Sequence, residues 1–243
     1  METKQRVGFA RGFLALFGAL GSLLRTPSTW PLALVPALLL VIVQSGFVLG
    51  WWRYLKPWLN AQLAGDGKLQ NLGALLAAWG SVLPLLVLGW FLVPVLSAPA
   101  LDGIVVRVER ELGAPARAPL GIFAELWCGL RAMLLSLLLT LPAIAGLALL
   151  GLLVPPLVVV TTPLKLLIGA LGVAWGMFDY PLTLRGVGVG ARVAFMLRHF
   201  SAVLGFGVAF SLLFWLPCFS ILMLPVGVAG ATQLYWEIQR SAP

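Results

Sequence analysis

The stretch AMLLSLLLTLPAIAGLALLGLLVPPLVVVTTPL, residues 132–164, decides the fold. It carries no charged side chain, and a single helix through it would be roughly 50 Å long, which exceeds the roughly 30 Å of a bilayer's hydrocarbon core. Pro155 and Pro156 interrupt the stretch, and proline breaks a helix because it lacks the N–H donor and clashes with the preceding turn. The stretch therefore predicts a helical hairpin over residues 132–178.

A second uncharged run near the C-terminus has the same character. As one helix it would be roughly 55 Å long, and Pro217 interrupts it. This run predicts another proline-broken hairpin over residues 200–236. Its limbs are marginal in length for crossing a bilayer, so we expect them to penetrate it only in part.

Two apolar segments closer to the N-terminus each suit one complete crossing. They cover residues 30–52 and 72–96. Tryptophans stand at both ends of the first, at Trp30 and at Trp51 and Trp52, as is typical of residues at membrane–water interfaces. Each segment predicts a long transmembrane helix.

The composition places the whole chain in a bilayer. Hydrophobic residues make up 61% of the sequence and charged residues 10%, and the mean hydropathy is +1.03. A soluble chain of 243 residues needs far more polar surface. We therefore predict an all-α integral membrane protein, organised as a single membrane domain over residues 1–243.

The remaining segments predict surface elements. Residues 1–25 have an apolar helical stripe and predict an interfacial amphipathic helix, with an uncleaved signal-like anchor as the alternative. Residues 102–131 predict an amphipathic connector, and residues 179–199 a basic connector. The distribution of Lys and Arg favours both termini on the cytoplasmic side.

The net charge of +8 has a membrane interpretation, since the cations lie beside apolar segments. There they orient the chain and attract anionic lipid headgroups, so membrane lipids are the expected partners and nucleic acid is not. Cys128 and Cys218 are far apart, and the chain has one histidine, so we expect no metal site. No cofactor motif or catalytic constellation is evident, and we do not expect an enzyme.

The stretch FDYPLTLRGVGVGARVAFMLRH, residues 178–199, holds the candidate functional charges. Arg185, Arg192 and His199 are spaced by seven and would share one face of a continuous helix. In one interpretation these charges contact water or lipid phosphate at the membrane surface. In the other, Arg185 or Arg192 faces a cavity and attracts an anion, while Asp179 orients an arginine or carries a proton.

The glycines of the same stretch have a separate interpretation. GVGVG lacks the spacing of a dinucleotide-binding loop. Gly186 and Gly190 instead fit a small-xxx-small pattern, which predicts close helix packing.

Several motifs resemble one membrane family in the right order along the chain. They are WPLALVPALLL (residues 30–40), SAPALDGIVVRVERELG (97–113), FDYPLTLRG (178–186), GFG (205–207) and LPVGVAGAT (224–232). Together they resemble the CysZ / etoposide-induced 2.4 family. The resemblance implies two long spanning helices with partly penetrating hairpins, sulfate uptake, assembly as a homo-oligomer, and a multi-pass location in the bacterial cytoplasmic (inner) membrane.

The resemblance also implies a sulfate-binding loop before the first span, where the family has a glycine followed by two arginines. The corresponding residues 26–31 read TPSTWP. A guanidinium binds an oxyanion through paired donors, whereas tryptophan offers one donor and proline none. The candidate anion ligands are therefore Arg25, Ser28 and Thr29 with backbone amides, together with Arg185 and Arg192.

Two functions remain open from the sequence. The first is a permease-like protein that transports sulfate or another small oxyanion. The second is a non-transporting membrane scaffold that organises lipids or partner proteins.

Overall fold

The computed structural model describes residues 7–63, 68–115, 121–214 and 219–241. Within these ranges the chain is helical and contains no strand, so the predicted all-α class is confirmed. The helices are α1 Phe9–Arg25, α2 Trp30–Gly50, α3 Lys56–Leu63, α4 Lys68–Gly80, α5 Val82–Leu96, α6 Ala98–Glu111, α7 Ile122–Leu153, α8 Val158–Leu184, α9 Val189–Arg198, α10 Phe200–Phe214 and α11 Phe219–Ser241.

Among the described residues, four helical stretches are long and apolar enough to cross a membrane: Pro27–Leu63, Asn71–Leu96, Leu134–Leu153 and Pro155–Leu184. The bent pair Val189–Arg198 and Phe200–Leu213 would make a fifth if it forms one span. Only 6% of the most apolar window of the first stretch is buried within the protein, so its side chains require a non-aqueous solvent. Both predicted single crossings fall within the first two stretches.

The first hairpin bends at the prolines of the opening stretch. α7 ends at Leu153, Pro155–Leu157 forms one 3-10 turn, and α8 begins at Val158. Both helices extend beyond the predicted limits of 132 and 178. The other prolines of α7 and α8 do not end them, since α8 alone contains Pro163 and Pro181.

α8 ends because a glycine closes it. Gly186 has a φ of +68°, a left-handed conformation that favours glycine. Its N–H donates to the Thr183 carbonyl over 2.8 Å, and the Val187 N–H donates to the Leu182 carbonyl over 3.0 Å. These are the two bonds of a Schellman motif. The segment predicted as a basic connector therefore begins inside a helix and turns sharply at Gly186.

The second predicted hairpin corresponds to α10 and α11, and its proline, Pro217, lies outside the described residues. α9 meets α10 at a bend of 91°. α11 continues to Ser241, and its middle is fully buried at Val228, Ala229 and Leu234. α11 is therefore a central helix of its unit.

Close backbone contacts join α1, α8 and α10. A Cβ added at Gly12 would lie 1.9 Å from the Ala202 carbonyl oxygen, and one added at Gly205 would lie 2.1 Å from that of Phe9. A Cβ at Gly207 would lie 2.2 Å from the Ala170 oxygen. The small-xxx-small prediction for Gly186 and Gly190 is wrong: Gly186 lies in a turn, and a Cβ at either meets no described atom within 4 Å.

The chain forms two compact units, Val35–Ser97 and the remainder. In the smaller unit, the Trp51 indole N–H donates to the Ala78 carbonyl over 3.0 Å and to the Ser81 hydroxyl over 2.9 Å. The Gln44 amide donates to the Leu86 carbonyl over 2.8 Å. These bonds tie α2 and the following π-helical turn to α4 and α5.

In the larger unit, α1 and α6 both bury one face. α1 buries Leu16 and Ala19 completely, and it packs on α10 and α11. α6 buries Leu101, Ile104 and Val105 completely. The amphipathic segment predicted over residues 102–131 thus overlaps α6, which starts at Ala98, ends at Glu111 and contributes its apolar face to the core. The same segment also includes the first turns of α7, which begins at Ile122.

Candidate functional site

A buried ion pair closes the corner between α8 and α9. Arg192 is 6% exposed and Asp179 3% exposed, and the Arg192 Nη1 donates to Asp179 Oδ1. The Arg192 Nε donates to the Val187 carbonyl over 2.7 Å. Thr183, one turn after Asp179, donates its hydroxyl to the other carboxylate oxygen over 2.9 Å. Both charges are neutralised within the protein.

A second ion pair joins three helices. The Arg185 Nε donates to Glu109 Oε1 over 3.0 Å, which links the end of α8 to α6. The Trp236 indole N–H of α11 lies 3.4 Å from the same carboxylate oxygen. The Arg185 guanidinium also stacks over the Trp236 ring at 4.3 Å from its centroid, a cation–π contact.

Arg185 keeps one donor group without a partner. Its side chain is 19% exposed and that of Glu109 5%. The Nη2 atom of Arg185 is shielded from solvent and forms no hydrogen bond with the described residues. A buried guanidinium nitrogen in this state is ready to donate charge-assisted hydrogen bonds to an anion.

The predicted anion loop lies in the short 3-10 turn Pro27–Thr29 between α1 and α2. The Thr29 side chain is 2% exposed, and its hydroxyl and amide both donate to the Thr26 carbonyl, over 2.7 and 3.0 Å. The Trp30 amide donates to the Pro27 carbonyl. Several donors expected to face an anion are therefore used within the turn itself.

Arg107 of α6 contacts this turn. The Arg107 Nη1 donates to the Ser28 carbonyl. The loop lacks the arginine pair implied by the family resemblance, but it has a guanidinium beside it in three dimensions. Arg25, in the last turn of α1, and Ser28 are exposed at the same junction.

The predicted stripe of Arg185, Arg192 and His199 is wrong as a single helix face. Arg185 lies past the end of α8, Arg192 is in α9, and His199 is at the bend before α10. Because Gly186 turns the chain, Asp179 pairs with Arg192, whereas Arg185 pairs with Glu109.

Sequence reasoning did not propose three residues of these clusters: Arg107, Glu109 and Trp236. Glu109 and Arg185 are 76 positions apart, and Glu109 and Trp236 are 127 apart. The available signal was the pair of acids on the otherwise apolar buried side of α6, where Asp102 and Glu109 lie among buried aliphatic residues such as Val105.

Comparison with known proteins agrees with the motifs. The sequence profile described as "Sulfate transporter CysZ/Etoposide-induced protein 2.4" matches residues 15–225. The chain belongs to this family. The matched range includes Glu109, Asp179, Arg185 and Arg192, whereas Trp236 lies beyond it. With its four candidate spans, this CysZ-family chain is a multi-pass membrane protein.

One curated relative is the protein described as "Sulfate transporter CysZ" from Pseudomonas fluorescens (strain Pf0-1). It is 34% identical over 102 residues, which make up 42% of this chain and 40% of the relative. The match therefore spans less than half the length of that CysZ protein.

Proposed function

We propose that this protein is a permease for sulfate or a related small oxyanion in the bacterial inner membrane, and that Arg185 contacts the anion. The observation that carries the proposal is the buried Arg185 Nη2 without a partner among the described residues. The relative from Pseudomonas fluorescens, described as a sulfate transporter, supports the substrate class.

Arg185 suits this role better than Arg192. A guanidinium has five N–H donors in a planar fork that matches an oxyanion. Arg192 gives its Nε and Nη1 to Val187 and Asp179, in a closed group of buried partners. Arg185 gives Nε to Glu109 and keeps Nη2 available.

The partners of Arg185 fix it in place. Glu109 and the Trp236 ring hold the guanidinium from two sides, so little side-chain entropy remains to be lost when an anion binds. Glu109 also neutralises the charge in the absence of an anion, which lowers the cost of keeping arginine among apolar helices.

The α1–α2 junction supplies a second, more exposed set of anion contacts in this proposal. Arg25 and Ser28 are exposed there, and Arg107 adds a guanidinium at the Ser28 carbonyl. The start of α2 adds positive potential from its helix dipole. Thr29 contributes to the shape of the turn, because its donors are already used.

Uptake of radiolabelled sulfate into proteoliposomes tests the proposal. We expect Arg185→Ala to reduce the initial rate at least tenfold, because a lost charge-assisted pair of hydrogen bonds is worth roughly 1.5–3 kcal/mol. Arg110→Ala removes an exposed arginine from α6 and is the matched control, with an unchanged rate expected. Equal rates for the two variants would show that Arg185 does not contact the anion.

A non-transporting scaffold is the second candidate. The compensation of both buried arginines by carboxylates favours it, since neither cluster carries net charge. Absence of flux above empty vesicles for sulfate, thiosulfate, selenate and phosphate would support the scaffold. Chemical cross-linking in native membranes would test the proposed homo-oligomer in either case.

A further inference from the structure

The larger unit contains a cavity that the ion pairs do not use. Its volume is about 310 Å³, and α7, α8, α9 and the first residue of α10 form its walls. This volume is at the lower end of the range for small-molecule sites. The walls are mostly apolar and include Leu139, Ile168, Val193, Leu197 and Phe200.

One wall carries a polar group without a partner. Trp175 lines the cavity and is 8% exposed, and its Nε1 forms no hydrogen bond with the described residues. The two hydroxyls of the lining already donate elsewhere: Ser136 to the Gly172 carbonyl over 3.1 Å and Thr140 to the Ser136 carbonyl over 2.6 Å. The indole N–H is therefore the donor that a ligand's acceptor would satisfy.

The position along α8 indicates the depth of this donor. Trp175 precedes Asp179 by four residues, or about 6 Å of helix, so it lies one turn below the charged corner of the unit. If the charged corner lies at the level of the lipid headgroups, Trp175 lies at the level of the ester groups, where tryptophan is enriched. The apolar walls extend from there along α7 and α8, both of which are candidate spans.

A positively charged residue follows the cavity lining along α9. Leu197 lines it, and the next residue, Arg198, is exposed in the last turn of α9. An exposed arginine next to an apolar membrane segment attracts the phosphate of a lipid headgroup. The apolar walls would match the acyl chain of a phospholipid, the indole donor its ester group, and the exposed arginine its phosphate.

We propose that this cavity binds one acyl chain of an anionic phospholipid, with an ester carbonyl accepting from Trp175 Nε1 and the phosphate beside Arg198. The proposal requires only that the chain is a membrane protein, and it is independent of anion transport. The bound lipid would fill the space under α9 and hold that helix against α7 and α8.

The test uses the full-length protein in bilayer nanodiscs that contain phosphatidylglycerol with a photoreactive diazirine in one acyl chain. We expect cross-links to concentrate on peptides of α7, α8 and α9, and unlabelled phosphatidylglycerol to compete at least threefold better than phosphatidylcholine. Arg198→Ala should abolish this preference, whereas Arg110→Ala, an exposed control, should retain it.

Two further variants test the cavity itself. Trp175→Phe keeps a ring but removes the donor, and we expect cross-linking to fall at least threefold. Val193→Phe fills the cavity from α9, and we expect it to reduce the cross-linking further while the circular dichroism spectrum stays unchanged. Labelling spread evenly over all spans, equal competition by phosphatidylcholine, or preferential competition by a free fatty acid would each overturn the proposal. None of these results depends on sulfate uptake.

Discussion

Removal of Arg192 is expected to destabilise the protein strongly, because it leaves the Asp179 carboxylate buried with one remaining donor. The two side chains are 7% and 3% exposed, and Arg192 also satisfies the Val187 carbonyl. Breaking a buried pair from one side costs about 3–5 kcal/mol. For a chain of this size we therefore expect Arg192→Met to lower the melting temperature by roughly 6–20 °C.

The measurement is thermal unfolding of the purified protein in detergent, followed by circular dichroism and by intrinsic fluorescence. The exposed pair Arg11–Glu237, with side chains 68% and 36% exposed, provides the matched control. An exposed pair is worth about 0–1 kcal/mol, so Arg11→Met should change the melting temperature by only a few degrees.

A double substitution separates the cost of an orphaned charge from the value of the pair. Asp179→Leu combined with Arg192→Met removes both charges, and apolar replacement of a buried pair is often neutral or stabilising. We expect the double variant to be more stable than Arg192→Met alone. Two results would contradict this expectation. The first is a double variant whose loss of stability equals the sum of the losses of the two single variants, and the second is a melting temperature of Arg192→Met that falls no more than that of Arg11→Met.

Four further predictions concern packing and topology. Gly205→Ala should cost about 1–3 kcal/mol in thermal unfolding, since its Cβ would lie 2.1 Å from a backbone carbonyl of α1. Gly176→Ala meets no described atom within 4 Å and should be neutral or gain up to about 1 kcal/mol from helix propensity. Trp51→Phe removes two hydrogen bonds, and we expect a loss of about 1–3 kcal/mol in the same assay. In a chain whose native cysteines are replaced by serine, Ser241→Cys should react with an impermeant maleimide only from the cytoplasmic side, and Val154→Cys only from the opposite side. The reverse pattern would contradict the expected orientation, and labelling of both from one side would contradict the hairpin.

The sequence was sufficient to predict the membrane-crossing segments and the bend between α7 and α8. Residues 132–164 are too long and too apolar for one helix in a bilayer, and Pro155 follows directly on the end of α7. The helix limits were less predictable. Pro163 and Pro181 look like breaks in the sequence but lie within α8, because neighbouring helices can satisfy the carbonyls that proline leaves free.

The candidate site was predictable only where its contacts are local. In one of the two interpretations Asp179 orients an arginine or carries a proton, and in the structure it pairs with Arg192, 13 positions away. The choice between Arg185 and Arg192 depended on the turn at Gly186, whose positive φ separates them. The partners of Arg185 come from α6 and α11, and spacing along one segment carries no information about such distant pairs.

The glycine contacts among α1, α8 and α10 restrict how this protein can change shape. Where main chain touches main chain, no layer of flexible side chains is available to slide, so we expect these three helices to move as one rigid body. Any rearrangement that uncovers Arg185 would then have to come from α6, which carries Glu109, or from α11, which carries Trp236, because both helices meet Arg185 through side chains. In a transport cycle, α8 would then stay in place while α6 or α11 moves away from Arg185.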